Sequence, residues 1–284
     1  MRKYILIISC VLLFFISGKA QDLDMTYRYA HKQMQIGNYD NAIAAYRRVL
    51  FFDSANQYNE RAYFHVARCY KKAGELDKAH YFYDLAFNTV EQDSMKNEVI
   101  LNKTFLYILQ EQANFAMMEL AGMQDSLSER FRKEKYFYNG IIHFQTEKFD
   151  QSKQYFQKAL NEDGNFPVSK LDSLFNELEK INKRNPKLTR YLSLFLPGLG
   201  QLYAGYPKEA INSFMLSTAS WGLYFYTLNQ YTLFDAVLSI YPWFHRYYLG
   251  GHARAGMLAM QKIQQERDQI FVELLDIFKE KNIH

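Results

Sequence analysis

The chain has 284 residues, of which 49% are hydrophobic and 17% aromatic. This composition excludes a disordered chain and supplies enough apolar material for one large or two modest domains. The formal net charge is only +4 and no basic stretch is interleaved with aromatic residues, so we do not expect nucleic-acid binding.

Residues 1–20 have the pattern of a secretory signal peptide. Arg2 and Lys3 precede an apolar stretch, and Ser17-Gly18-Lys19-Ala20 supplies small residues before a cleavage point after Ala20. We therefore expect an exported protein of the bacterial cell envelope, anchored at the inner membrane with its following domain in the periplasm. Lipidation at Cys10 and an uncleaved anchor are the alternatives. Cleavage would leave Cys69 alone, so no intrachain disulfide is expected.

A short sequence motif recurs within residues 21–163. Its second copy starts 37 residues after the first, and its third copy starts two periods later. A period in the thirties, with a small residue three places after an aromatic or aliphatic one, predicts stacked pairs of antiparallel helices. The copies are Gly37-Asn38-Tyr39-Asp40-Asn41-Ala42-Ile43, Gly74-Glu75-Leu76-Asp77-Lys78-Ala79 and Glu147-Lys148-Phe149-Asp150-Gln151-Ser152.

This pattern resembles the tetratricopeptide repeat, whose motif combines Gly and Tyr at a turn with Ala-x3-aromatic-x2-Ala in the second helix. In the second copy, Ala79, Tyr83 and Ala86 occupy the three helical positions. One period after Gly74 lies Glu111, where the turn glycine and the aromatic residue are missing, so we expect a degenerate third unit. The resemblance implies an all-α superhelix of about four helical hairpins.

The second half of the chain has a different character. Residues 164–187 are expected to form a helix that caps the repeats, followed by a basic linker. Residues 188–251 carry few charges, and residues 210–230 carry none. A helix over that run could reach ~30 Å, enough to cross a hydrocarbon core. Residues 252–284 are predicted to form an amphipathic helix that either docks on the repeats or pairs with another copy.

A motif near residue 200 supports the prediction of a membrane hairpin. Its residues resemble the Pro-Gly-x-Gly-Gln-x-Tyr-x-Gly signature of small bacterial membrane domains with two transmembrane helices, which implies contact with membrane lipid and no established activity. The residues are Pro197, Gly198, Gly200, Gln201, Tyr203 and Gly205. Gln201 and Tyr203 are expected to satisfy backbone amides freed by a broken helix. Basic residues flank the hairpin and by themselves would place its ends in the cytoplasm. Export through the signal peptide would place these ends outside the cytoplasm, and we give the signal peptide more weight than the basic residues.

The sequence contains no motif for catalysis, phosphate binding or metal binding, so we expect neither an enzyme nor a cofactor. The candidate site is a groove lined by the first helix of each repeat, suited to an extended peptide or partner helix of an envelope protein with some acidic character. The residues expected to be exposed there are Tyr27, His31, Met34, Phe64, Arg68, Lys71, Phe137, Ile141 and Phe144.

Three other interpretations stay open at this point. Arg68, Lys71 and Lys72 could form only a solvated face. The hairpin could be a membrane enzyme or lipid-handling module that uses Gln201, Tyr203 and Asp235, with the repeats as a docking arm. The protein could also be a soluble periplasmic structural protein. The sequence predicts no oligomeric state.

Overall fold

The computed structural model describes residues 22–123, 128–161 and 168–280. Every regular element in these residues is a helix, which confirms the all-α prediction. The chain divides into two compact units, with the boundary between Gly164 and Asn165. The predicted signal peptide and its cleavage point lie outside the described residues.

The described part of the first unit consists of helices that pack as consecutive hairpins. They are α1 (Leu23–Gln35), α2 (Tyr39–Phe52), α3 (Asn59–Lys72), α4 (Leu76–Thr89), α5 (Asp93–Leu109), α6 (Ala113–Ala121), α7 (Glu129–Gln145) and α8 (Phe149–Asn161). Each odd-numbered helix contacts the even-numbered helix that follows it. The odd-numbered helices are the first helices of the four predicted repeats.

The turns within all four hairpins share one geometry. Gly37 and Gly74 have φ of 80°, and Glu111 and Glu147 take the same left-handed conformation with φ of 58° and 57°. In each turn the backbone amide of the residue after the left-handed one donates to the carbonyl five residues earlier, as the Asn38 amide does to the Gln33 carbonyl over 2.9 Å. This bond pattern closes a helix C-terminus. The third unit therefore keeps the turn although it lacks glycine, at a cost of about 1–2 kcal/mol for the left-handed glutamate.

The small and large positions of the repeat form the core of the first unit. Alanine or serine lets the paired helices approach, and a large side chain fills the space beside it. The small positions are Ala42, Ala79, Ala116 and Ser152, and the large ones are Tyr46, Tyr83, Leu120 and Phe156; all eight are buried.

The described part of the second unit is also helical. Its elements are α9 (Val168–Asn182), α10 (Pro186–Phe195), α11 (Leu199–Tyr203), α12 (Pro207–Gln230), α13 (Leu233–Phe244), a π-helix (His245–Leu249) and α14 (Gly250–Glu280). Helices α9 and α10 both contact α14, and α12 contacts α13. Leu171 and Leu178 of α9 and Leu274 and Ile277 of α14 are buried in the core of this unit.

The predicted membrane hairpin corresponds to α12 and α13. Among the described residues, no helix combines the length and the apolar character that crossing a membrane requires. Helix α12 has 24 residues but includes Asn212, Ser213 and Ser217, and α13 has only 12 residues. The expectation of membrane-spanning helices therefore finds no support here, because polar side chains interrupt one helix and the other is short.

Candidate functional site

Four of the predicted groove residues do not lie on the surface. Phe64, Phe137, Ile141 and Phe144 are between 5% and 9% exposed. Phe64 packs 5.7 Å from the ring of Tyr83, and Phe144 packs 5.4 Å from Phe149, as measured between ring centroids. The expectation that they are exposed is therefore wrong, because they pack against the second helices of the repeats and belong to the core.

The three predicted residues of α1 lie half-buried in an aromatic cluster. Tyr27 packs edge-on against Tyr46 with centroids 5.4 Å apart, and His31 Nδ1 lies 3.3 Å from the Tyr46 hydroxyl. Met34 packs against the same core. His65 stacks on Tyr46, and its burial, followed by the charge of Arg68, lowers its pKa to about 4. These three side chains are therefore only partly accessible to a partner.

Lys71 begins a set of polar contacts that joins three first helices, and the charge of Arg68 acts on Lys71 from the same helix. Lys71 Nζ donates to Asn102 Oδ1 over 2.5 Å, and the Tyr83 hydroxyl donates to the same oxygen over 3.1 Å. Asn102 Nδ2 in turn donates to the Glu98 carbonyl over 2.8 Å. Burial, and secondarily the charge of Arg68, lowers the pKa of Lys71 to about 8. Helix α5 thus holds a lysine of α3 in place through a neutral amide.

The contacts continue from α5 to α7 through Arg130. Its Nη2 donates to Glu98 Oε2 over 2.9 Å, and its Nε donates to Glu134 Oε1 over 2.8 Å. The hydrogen bond that Arg130 donates to Glu134 is the largest cause of the raised pKa of Arg130. We call these residues the polar strip: Arg68, Lys71, Glu98, Asn102, Arg130 and Glu134.

The charge of the polar strip is uneven along its length. Glu98 and Glu134 balance Arg130 at the α7 end. At the α3 end, Arg68 is exposed and forms no salt bridge within the described residues, and its guanidinium carbon lies 5.8 Å from the Phe64 ring centroid. The hydrogen-bond acceptor of Lys71 is uncharged. Neither Arg68 nor Lys71 therefore forms a salt bridge with a described carboxylate, and this arrangement favours an acidic ligand.

Sequence reasoning found Arg68 and Lys71 but missed the other members of the strip. Asn102 lies 37 residues after His65, so the repeat period leads to it. It belongs to the degenerate third unit, whose turn lacks both the glycine and the aromatic residue of the motif. Nothing in the sequence signals that Arg130 would bridge two carboxylates from different helices.

The motif near residue 200 joins several helices of the second unit. Gln201 is 1% exposed; its Oε1 accepts from Ser193 Oγ over 2.7 Å, and its Nε2 donates to the Gly251 carbonyl over 2.9 Å. Ser193 Oγ also accepts from the Gly200 amide over 2.9 Å. A side chain at Gly200 would place Cβ 2.0 Å from the Thr189 carbonyl oxygen. Ser193, rather than Gln201 directly, therefore satisfies the freed amide, and the motif fixes α10, α11 and α14 together.

The remaining motif residues shape the entry and exit of α11. Gly198 has φ of 92°, and a Cβ there would lie 2.3 Å from the Ala210 carbonyl oxygen, so only glycine fits. Pro197 is partly buried before it, and Gly205 has φ of 86° in the turn that follows α11. Tyr203 is exposed and makes no hydrogen bond within the described residues, so its predicted role toward the backbone is wrong.

Two of the three residues considered for chemistry in the hairpin, Gln201 and Asp235, have structural partners. Asp235 Oδ2 accepts from the Thr232 hydroxyl over 2.7 Å and caps the start of α13. In the described ranges, no group of three His, Cys, Asp or Glu residues is placed to hold a metal ion.

Two comparisons with known proteins found similarity to tetratricopeptide-repeat sequences. A family model described as tetratricopeptide repeat matches residues 24–55 and 140–166. A TPR repeat-containing protein of Methanocaldococcus jannaschii is 26% identical to this chain over 164 residues, which cover 56% of this chain and 28% of that protein. The chain thus spans little more than a quarter of this relative. The family match covers the first hairpin, α1–α2, and in the last hairpin the end of α7 from Gly140 together with α8. These matches support tetratricopeptide repeats within the first unit.

Proposed function

We propose that this protein is a non-catalytic scaffold that binds a partner protein or peptide along the polar strip of its repeats. One observation carries the proposal: Lys71 of α3 donates a hydrogen bond to Asn102 of α5, and the exposed Arg68 on α3 forms no salt bridge within the described residues. A fixed set of donors costs little conformational entropy when a ligand binds. Repeat proteins of this kind bind partners on extended surfaces formed by successive units.

The partner we propose is an extended peptide segment or helix that carries carboxylates. Arg68 offers a planar guanidinium that can bind a carboxylate through two parallel hydrogen bonds, while Lys71 adds an ammonium group. Asn102 donates one amide hydrogen to the Glu98 carbonyl, and its amide oxygen accepts hydrogen bonds from Lys71 and Tyr83. Acidic side chains of a partner would therefore meet the α3 end of the strip first.

The test is capture of partners by the full chain and by two charge-reversal variants. Arg68→Glu reverses the charge at the strip, and Arg47→Glu makes the same change at an exposed residue of the second helix α2. We expect a defined partner to be captured by the wild type and by Arg47→Glu, and lost with Arg68→Glu. Equal capture by both variants would place the binding surface elsewhere and overturn the proposal.

We also propose that the protein is exported and acts in the cell envelope, with an envelope protein as its partner. The support is the charged, apolar and small-residue pattern of residues 1–20. N-terminal sequencing of the protein from an envelope fraction should find Gln21 first. A protein that begins at Met1 and stays in the cytosolic fraction would contradict export.

The proposal includes association with membrane lipid, through an exposed surface and not through a membrane-spanning helix. The support is the number of large apolar side chains that α12 and α13 expose, among them Phe225, Tyr226 and Phe234, which are all more than 60% exposed. Exposed apolar area of this extent marks interaction surfaces. Flotation of the full chain with phosphatidylcholine vesicles should recover it with lipid, and Phe225→Asp with Phe234→Asp should reduce recovery. Recovery that is unchanged by both substitutions would refute a role for this surface.

A further inference from the structure

The second unit contains a polar pocket that neither the repeats nor the motif near residue 200 explains. It has a volume of about 330 Å³, which is within the size range of small-molecule sites. One wall is a face of α12, the other is formed by the π-helix and the start of α14, and Gln201 also lines it. The lining residues are Gln201, Glu209, Asn212, Ser213, Leu216, Arg246, Tyr247, Gly250, Gly251 and Arg254.

Two arginines dominate the charge of this pocket. Arg246 and Arg254 form no salt bridge with any residue in the described ranges, although Glu209 lines the same pocket. They lie eight positions apart, and the π-helix between Phe244 and Gly250 alters the helical register so that both line one pocket. Such π turns occur often at functional sites. Two guanidinium groups against one carboxylate leave the pocket with a net positive charge.

The opposite wall supplies neutral polar groups. The Ser213 hydroxyl oxygen is buried and has no hydrogen-bond partner in the described structure. Asn212 lies beside it and lines the pocket. Gly251 leaves room here, because a Cβ at this residue would lie 3.0 Å from Ser213 Oγ. Buried polar groups normally have partners. Within the described residues, this pocket therefore combines a hydroxyl without a partner and two arginines without a salt bridge, and all three are available to a ligand.

We propose that this pocket binds a phosphate group, with Arg246 and Arg254 as its charged donors. Guanidinium groups match phosphate oxygens in geometry and charge. Glu209 would accept a hydrogen bond from an amine or hydroxyl on the same ligand. At about 30 Å³ per water, the pocket volume corresponds to on the order of ten waters, so a phosphate with a small substituent fits. A phosphoester of this kind can be a soluble metabolite or a lipid headgroup.

The experiment measures the two sources separately on the full chain. Isothermal titration calorimetry with phosphoethanolamine measures binding of a soluble phosphoester. Flotation with phosphatidylcholine vesicles, with and without phosphatidylglycerol, tests a lipid headgroup. Arg246→Gln and Arg254→Gln should each weaken the observed binding about tenfold or more, because each removes a charged hydrogen bond. Lys279→Gln, which removes a positive charge near the far end of α14, is the matched control and should leave binding unchanged.

Binding in either arm that depends on both arginines supports the proposal and identifies the source. Absence of binding in both arms, or equal effects of Arg254→Gln and Lys279→Gln, would overturn it. The role of Glu209 has its own test. Glu209→Gln should tighten binding of inorganic phosphate by removing a negative charge and weaken binding of phosphoethanolamine. The reverse order would contradict that assignment. Circular dichroism of each variant should match the wild type, since Arg246 and Arg254 are exposed.

Discussion

Removing the side-chain amide of Asn102 most directly tests the hydrogen bonds that fix the polar strip. In Asn102→Ala, the Lys71 ammonium and the Tyr83 hydroxyl both lose the oxygen to which they donate. Tyr83 is fully buried, so water cannot replace the lost partner there. A buried donor left without a partner costs about 1–3 kcal/mol. Lys71 is half-buried and recovers part of its solvation, so we expect a total loss of about 2–3 kcal/mol.

The measurement is urea unfolding of the full chain, followed by two signals. Both tryptophans of the chain, Trp221 and Trp243, belong to the second unit, so tryptophan fluorescence reports on that unit. Far-ultraviolet circular dichroism reports on helices of both units. Asn102→Ala should move a part of the dichroism transition to lower urea and leave the fluorescence transition in place.

The matched control is Asn88→Ala, which removes an exposed asparagine of α4. It should change the free energy of unfolding by less than about 0.5 kcal/mol, as surface substitutions usually do. A second check is Tyr83→Phe combined with Asn102→Leu, which removes the hydroxyl together with its acceptor and should recover part of the lost stability. An Asn102→Ala loss equal to that of Asn88→Ala would refute the network described for the strip.

Three further predictions concern other parts of the chain. Burial lowers the pKa of His65 from 6.5 to about 4, so the unfolded chain takes up this proton first. The contribution of His65 to the free energy of unfolding is fully present above pH 6.5 and falls as the pH drops toward 4, by at most about 2 kcal/mol at pH 5. Urea unfolding at pH 7 and at pH 5 measures this loss, and His65→Phe should reduce the difference in the free energy of unfolding between the two pH values. Gly140→Ala should cost about 1–3 kcal/mol, because its Cβ would lie 2.5 Å from the buried ring of Phe156; a loss of stability no larger than that of Gly222→Ala, at an exposed glycine whose Cβ would meet nothing within 4 Å, would contradict it. Gly200→Ala should lower the midpoint of the fluorescence transition, because the obstructing atom is a backbone oxygen, and an unchanged midpoint would refute this close approach.

The repeat pattern predicted the first unit well because its signals are local. A small residue three places after an aromatic one, repeated at a fixed period, specifies both the turn and the helix crossing. Even Glu111, which departs from glycine, takes the left-handed conformation that the period predicts for its position. Helix pairing in this unit could therefore be read from the sequence.

The candidate site was harder to predict because burial depends on neighbours that are distant in sequence. Phe64 and Phe137 fit an exposed groove by repeat position, yet both lie against aromatic residues of a second helix. In the second unit, Gln201 and the Gly251 carbonyl that it binds are 50 residues apart. The sequence marks such residues as unusual but does not identify their partners. It also gave no sign of the π-helix that brings Arg246 and Arg254 to one pocket.

Photo-crosslinking in living cells tests the scaffold function most directly. A photoreactive amino acid would replace Lys72 on α3, one helical turn after Arg68, in one variant and Arg47 on α2 in the other, and both positions are exposed. The account predicts a covalent adduct with a defined envelope protein from position 72, mapped to a carboxylate-rich segment, and none from position 47. Adducts from position 47 alone, or from neither position, would contradict binding along the polar strip.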